Sequence, residues 1–413
     1  MKVLMAILKY PPDFAGDGLR FHRMFQRLLG TADISEVHVI TSWDRKHKKY
    51  EVRNGIHVHR VSENTCKSKY ESHGSLLKKC SMPLHMFKVV QMYFSLYRDA
   101  DVVLTSGSGW MPSLVGWLAW MTRKPLMKEI VLLHSDDPIT LARKKFWTRF
   151  FFTMPFRFAG VVVTISPPLE KACLEFGIPS EKVWCRLNPV DFPVTVTEKD
   201  CLACSGTDSG EPAEVPVVFW AGTVKPRKNV DFLLRAAHHL KPPVRLVFAG
   251  PHDDKRYSDQ LVDMALKLPQ GIDAEFADEI RDKDELIEMY RKARVFWFAS
   301  HSEGMGNVVA EALVCGTPVV TLPVHGIMQS LLITGEDGEI VPETNPRAFA
   351  DAVNHWLDKR YHRCEIARRA ADRFNVKRTD NAYINWFYKI SNNRRESSAK
   401  PVQPAVVTGA VLA

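Results

Sequence analysis

The sequence has no apolar run long enough to cross a bilayer. Its longest, Trp110 to Met121, covers about a dozen residues where a spanning helix needs roughly 20, so a buried helix is expected there. The charged-apolar-small order of a secretory signal is missing too. Lys2 to Leu8 reads directly as a strand, and the expectation is a cytoplasmic chain. Cysteine is sparse and scattered, 8 in 413 residues. Cys173, Cys315 and Cys364 stand in apolar contexts and are expected as buried, reduced thiols. Cys201 and Cys204 form a lone CxxC without a second pair at zinc spacing, so no metal site is expected there. The dinucleotide fingerprint GxGxxG is also lacking. Gly107-Ser-Gly109 follows a strand pattern but has no third glycine.

What is present is a globular composition, 46% hydrophobic and 25% charged, in a chain too long for one ordinary core. Apolar β-rich runs alternate with helical patterns twice over, the signature of parallel sheets. The reading is α/β, with an N-terminal domain over 1–193, a linker over 194–214 and a C-terminal domain over 215–378. A helix over 379–392 and a structureless tail over 393–413 complete it. The linker is polar and turn-rich, and the helix carries Tyr383, Trp386, Phe387 and Ile390 on one face. Charge is divided unevenly: residues 1–192 hold 28 Lys/Arg against 17 Asp/Glu, a net of +11, and the remainder nets −2. A polyanionic surface is therefore expected as a partner of the first half only.

The stretch Ser300-His-Ser-Glu-Gly-Met-Gly-Asn-Val-Val-Ala-Glu carries the chemistry. A strand ends near Ser300, the loop Glu303-Gly304-Met305-Gly306 follows, and a helix opens at about Asn307. Glycines let backbone approach a ligand, and N–H groups at a helix start point at it with the positive end of the dipole. Glu303 at the mouth of the loop and Glu311 one turn into the helix can grip two polyols at once.

Together with Gly316-x-Pro318-Val319-Val320, this stretch resembles the Glu-x7-Glu motif of family 4, the group 1 glycosyltransferases of GT-B fold. The resemblance implies two Rossmann-like domains facing across a cleft, with the C-terminal helix crossing back to the first. It implies a retaining transferase moving a sugar from a nucleotide-sugar donor to a hydroxyl acceptor, either carbohydrate or lipid-linked. The nucleotide sugar is a co-substrate, and no cofactor or metal is expected. Phe219 to Asn229 resembles the diphosphate motif, with Lys228 on the family's lysine and Thr223 where an arginine is usual; Lys225 or Arg227 is left to compensate. Pro11 to Gly18 resembles the family's Pro-Pro…Gly-Gly loop, with Asp17 separating Gly16 from Gly18. Leu132-Leu-His134 resembles the strand-end histidine that sits by the transferred sugar. Leu187 to Asp191 corresponds to Asn-Gly-Val-Asp, and His325 to Gln329 to Gly-Gly-x-x-Glu. The implied catalytic set is Glu303, His134 and Lys228. Donor binding would fall to Gly16, Gly18, Thr223, Arg227, Lys228, Gly304, Met305, Gly306, Asn307, Val308 and Glu311. Because Thr223 and Gln329 depart from the pattern, a nucleotide-sugar-binding partner subunit without catalysis remains an alternative. A phosphorylase or epimerase of the same fold is another.

One more constellation lies in the basic half. Leu141 to Phe158 has five basic residues, seven aromatics and no acid. Read as a helix up to Pro155, it suits an anionic membrane surface, or else packs its aromatics into a core. A nucleic-acid partner is not expected, since nothing else in the chain reads as such a module.

Overall fold

The computed structural model describes residues 1–12, 16–43, 47–62, 76–192 and 215–398. Two sheets organise the chain. The first has eight strands in the spatial order Tyr50–Arg53, Ile56–Ser62, Glu36–Trp43, Lys2–Ala6, Val102–Ser106, Leu126–Ile130, Val161–Thr164 and Val183–Cys185. Tyr50–Arg53 runs antiparallel to its neighbour, and the pairings from Ile56–Ser62 through Leu126–Ile130 are parallel. The second has six parallel strands in the order Ile272–Ala277, Val244–Ala249, Val217–Ala221, Val295–Phe298, Val319–Thr321 and Gly338–Ile340. Parallel strands are covered on both faces, which is why these runs are nearly continuous apolar sequence rather than alternating. Val295–Phe298 and Val102–Ser106 are buried at every position.

The first sheet ends at Cys185 and the second begins at Val217, on either side of the expected 194–214 connection, which lies outside the described residues. Contacts group the chain into two compact units. One is Met1–Glu129 with Phe150–Val162 and Asn381–Ala413; the other is Ile130–Arg149 with Val163–Asp380. The last helix, Val376–Ser398, extends into the stretch expected to be a structureless tail. Cys364 is disulfide-bonded, contrary to the expectation of a reduced thiol, while Cys173 and Cys315 are free and buried. An apolar local sequence says nothing of which sulfur the fold brings alongside.

Within the first unit the centre is charged as well as apolar. Lys128 and Glu129, on Leu126–Ile130, are both fully buried. Burial of an ion is tolerated only with partners. The Lys128 ammonium donates to the Gly107 carbonyl at 3.1 Å and lies 4.6 Å over the Phe156 ring. Glu129 accepts from the Arg20 guanidinium and from the Tyr383 hydroxyl on the last helix. Tyr383 also packs its ring against Phe21, with centroids 6.4 Å apart.

Pro155 does not end its helix, which runs Phe146–Phe158 through it. A proline inside a helix leaves the carbonyl four residues earlier without its donor. That carbonyl belongs to Phe151, and the Trp117 indole N–H donates to it at 2.9 Å. Trp117 lies on the neighbouring helix Trp110–Met121, so a tertiary contact replaces the missing local bond.

Candidate functional site

The second unit gathers its polar side chains where Val217–Ala221 and Val295–Phe298 give way to loops. After the first of these strands the chain turns through a short 3-10 segment, Pro226–Lys228, closed by Asn229 in the left-handed conformation at φ 54°. Asparagine tolerates that conformation better than most residues. The Asn229 amide donates to the Ala299 carbonyl at 3.0 Å, and the His301 N–H donates to the Arg227 carbonyl at 2.9 Å. These two bonds stitch the turn to the end of the next strand and fix Lys228 against the loop that follows.

In that loop Glu303 is buried and accepts from the Lys228 ammonium at 2.7 Å. The Arg227 guanidinium lies 3.1 Å from the same oxygen and also donates to the Ser302 carbonyl. Burial acts to raise the Glu303 pKa, but the charges of Lys228 and then Arg227 outweigh it and hold the carboxyl below its ordinary value. Lys225 leans the other way, 4.0 Å from Asp253. Its pKa is lowered by burial and by the neighbouring Arg227. Thr223 is half-buried and brings no charge.

Gly304 and Gly306 have separate reasons to be glycine. A Cβ on Gly304 would stand 1.8 Å from the Val131 carbonyl oxygen, so only a bare backbone fits. Gly306 takes φ 92° and opens the helix Asn307–Val314. Met305 is buried, and its sulfur accepts from the Asn188 N–H at 2.9 Å. The Asn188 amide donates to the Asn307 side chain at 2.8 Å and accepts from Arg186 at 2.8 Å. The segment Leu187–Asp191 is thus a clamp on the glycine loop. Val308 is half-buried, and Glu311, a turn further on, accepts from the Tyr290 hydroxyl at 2.9 Å. Tyr290 is fully buried, so its hydroxyl stays protonated well beyond the usual range and locks the carboxylate's direction.

His134 is exposed, at φ 61°, on the turn between Leu126–Ile130 and the helix Pro138–Ala142. Asp137 caps that helix through the Thr140 N–H at 2.8 Å. The His134 ring meets His325 edge to face, centroids 4.9 Å apart. His325 sits in a run of three left-handed residues, Val324, His325 and Gly326, and a β-branched valine there is strained. His325 had no role in the sequence reading. Its only signal was that it begins the segment where the family shows two glycines. Gln329 is exposed.

Gly16 and Gly18 belong to the first unit, at the start of the helix Gly16–Leu29. A Cβ on Gly18 would lie 2.4 Å from the Lys9 carbonyl oxygen. Between them, Asp17 accepts from the Ser106 hydroxyl at 3.5 Å. Burial raises its pKa, and Arg20 works against that rise. Residues 13–15 of the same loop lie outside the described residues. Among the described residues no group of three or more His, Cys, Asp or Glu is placed to hold a metal ion. In the strings Asp99-Ala-Asp101 and Asp282-Lys-Asp284, Asp101 accepts from the Lys2 N–H at 2.9 Å and Asp282 caps Lys283–Lys292.

Two parallel-sheet α/β halves with a strand-loop-helix site of this kind define the GT-B fold. The solved structure of Anabaena HepE in complex with UDP and glucose covers 96% of this chain and 99% of its own, with a TM-score of 0.67 and 18% identity. At that identity the likeness is one of fold. Residues 207–373, about two fifths of the chain, match the family model described as Glycosyl transferases group 1. A D-inositol 3-phosphate glycosyltransferase of Xylanimonas cellulosilytica is 34% identical over 167 residues, 40% of each chain. The match thus spans about two fifths of that relative's length. A glycosyltransferase of Methanocaldococcus jannaschii, itself uncharacterized, is 26% identical over 376 residues, 86% of this chain and 89% of that one.

Proposed function

We propose that the protein is a retaining glycosyltransferase that moves a sugar from a nucleoside diphosphate donor to a hydroxyl acceptor without a metal ion. The observation that carries this is Glu303, buried yet held ionised by Lys228 at 2.7 Å and Arg227 at 3.1 Å, beside a loop built of glycines at a helix start. Such a pair of cations can take the charge of a leaving diphosphate, while the carboxylate faces positive charge growing at the anomeric carbon. The acceptor oxygen attacks on the face the diphosphate leaves. A donor phosphate oxygen takes the acceptor proton as the old C–O bond breaks and the glycosidic bond forms. Arg227 supplies the charge that Thr223 does not, which favours catalysis over a partner subunit without it. Glu311, steadied by Tyr290, holds ribose hydroxyls, and His134, steadied by His325, faces the donor sugar. The acceptor in this reading is a glycan or a lipid-linked sugar at an anionic membrane.

The test is a panel of nucleotide sugars screened by thermal shift, followed by donor turnover with the purified chain. A native-state ligand raises apparent stability by mass action. One donor should stand out and be consumed. A chain that binds a donor but never turns it over, with any acceptor tried, would be the partner subunit instead.

A further inference from the structure

The helix Phe146–Phe158 and the helix Trp110–Met121 carry an aromatic surface that the other described residues leave exposed. The first helix divides its aromatics between two environments. Phe152 and Phe156 are buried, whereas Phe146 is 69% exposed and Trp147 is 79% exposed. Phe150 is exposed as well and touches Trp117, with ring centroids 5.4 Å apart. Trp117 meets Trp120 at 5.8 Å, and Trp120, with its neighbour Met121, is again exposed. The uncovered apolar strip therefore continues from one helix to the other.

The charged residues within these two helices and directly beside them in sequence are basic. Arg143, Lys144 and Lys145 stand exposed just before the first helix, Arg149 projects from it, and Arg123 follows the second. Neither helix contains an aspartate or glutamate. Soluble proteins seldom expose contiguous large aromatics, and such a patch marks an interaction surface. A rim of basic residues around indole and phenyl rings matches the headgroup layer of an anionic bilayer, where rings sit at the interface and cations pair with phosphates. Among the described residues no helix is long and apolar enough to cross a membrane, so the contact is with its surface.

We infer that these two helices are a docking face for anionic phospholipid, with Phe146, Trp147 and Phe150 entering the headgroup region and Arg143, Lys144, Lys145 and Arg149 pairing with lipid phosphates. This deepens the acceptor part of the reading above and does not rest on its donor chemistry. The experiment is co-sedimentation of the full chain with phosphatidylcholine vesicles, with and without phosphatidylglycerol, at low and high salt. Donor turnover is measured in the same buffers. Wild type should pellet with the anionic vesicles at low salt and be released at high salt. Each basic residue is worth roughly fivefold in partition. Replacing Arg143, Lys144, Lys145 and Arg149 with glutamine should therefore weaken it on the order of a hundredfold or more. Phe146→Ser with Trp147→Ser should also reduce pelleting without lowering the melting temperature, because both side chains are exposed. No pelleting of wild type at low salt overturns the proposal, as does equal pelleting with neutral vesicles or undiminished pelleting of the glutamine variant. Pelleting without donor turnover would leave the docking face standing and count against the transferase reading instead.

Discussion

Lys228→Ala separates a structural lysine from a diphosphate-binding one. In the protein Lys228 is the nearer of two cations on Glu303, and both side chains are about nine-tenths buried. Removing it leaves Arg227 at 3.1 Å, so Glu303 is weakened but not orphaned. The stability cost should then be about 1–3 kcal/mol, below the ~3–5 kcal/mol of a buried charge with no partner at all. Affinity for the matching nucleoside diphosphate should fall by a further ~1.5–3 kcal/mol, roughly tenfold to 150-fold, as for a lost hydrogen bond to a charged group. The sign of the pH dependence is fixed by the lowered Glu303 pKa. Its contribution is present above the unfolded carboxylate range near about 4 and is lost as pH falls through the lower folded value. In Lys228→Ala burial regains ground, the folded pKa rises, and that acid-side loss of stability shrinks. Calorimetric titration with nucleoside diphosphates, paired with urea unfolding across a pH series, reads both effects. If the melting temperature falls while diphosphate affinity is unchanged, Lys228 serves only Glu303, and the proposed donor site is wrong.

Glu303→Gln should lower turnover by at least ~10²-fold without weakening diphosphate binding, since it removes the anion that competes for Lys228. A variant with wild-type turnover removes Glu303 from the mechanism. Arg227→Ala should weaken diphosphate binding more than Lys225→Ala, because Arg227 already reaches Glu303 whereas Lys225 leans toward Asp253. Equal, unchanged affinities in titration would show that neither cation replaces the missing arginine. Gly304→Ala should cost more than about 2 kcal/mol, because its Cβ would meet the Val131 carbonyl oxygen at 1.8 Å. A melting curve identical to wild type would refute that packing.

Much of the fold was legible because parallel sheets write themselves as recurring apolar runs separated by helical spacing. The glycine loop placed a helix start at about Asn307, where it occurs, and Asp282 caps its helix as its side chain suggests. What could not be read depended on distant partners. Pro155 looked like a helix end because the indole that answers for it lies on another helix, at Trp117. Lys128 and Glu129 passed as part of an ordinary strand, since the residues that permit their burial, Gly107, Arg20 and Tyr383, stand far off in sequence. His325 was invisible as a partner of His134 for the same reason. Core packing of the Leu141 to Phe158 aromatics holds for Phe152 and Phe156 and fails for Phe146, Trp147 and Phe150, which are exposed.

The helix Val376–Ser398 bears on how the chain is made. Tyr383 completes the partners of Glu129 across 254 positions, and the Ile390 side chain lies about where a Cβ on Gly160 would touch it, at 3.0 Å. The unit whose synthesis starts first is therefore finished by a helix made after the second unit's sheet. Contacts of such long sequence separation are slow to form, and domains otherwise fold in order of synthesis. Until that helix arrives, Glu129 lacks its Tyr383 partner and the surface around Gly160 lacks Ile390. The second unit has its sheet and glycine loop complete by then. A ribosome-stalled chain cut before Val376 should accordingly hold a protease-resistant second unit beside a first that is still cleavable.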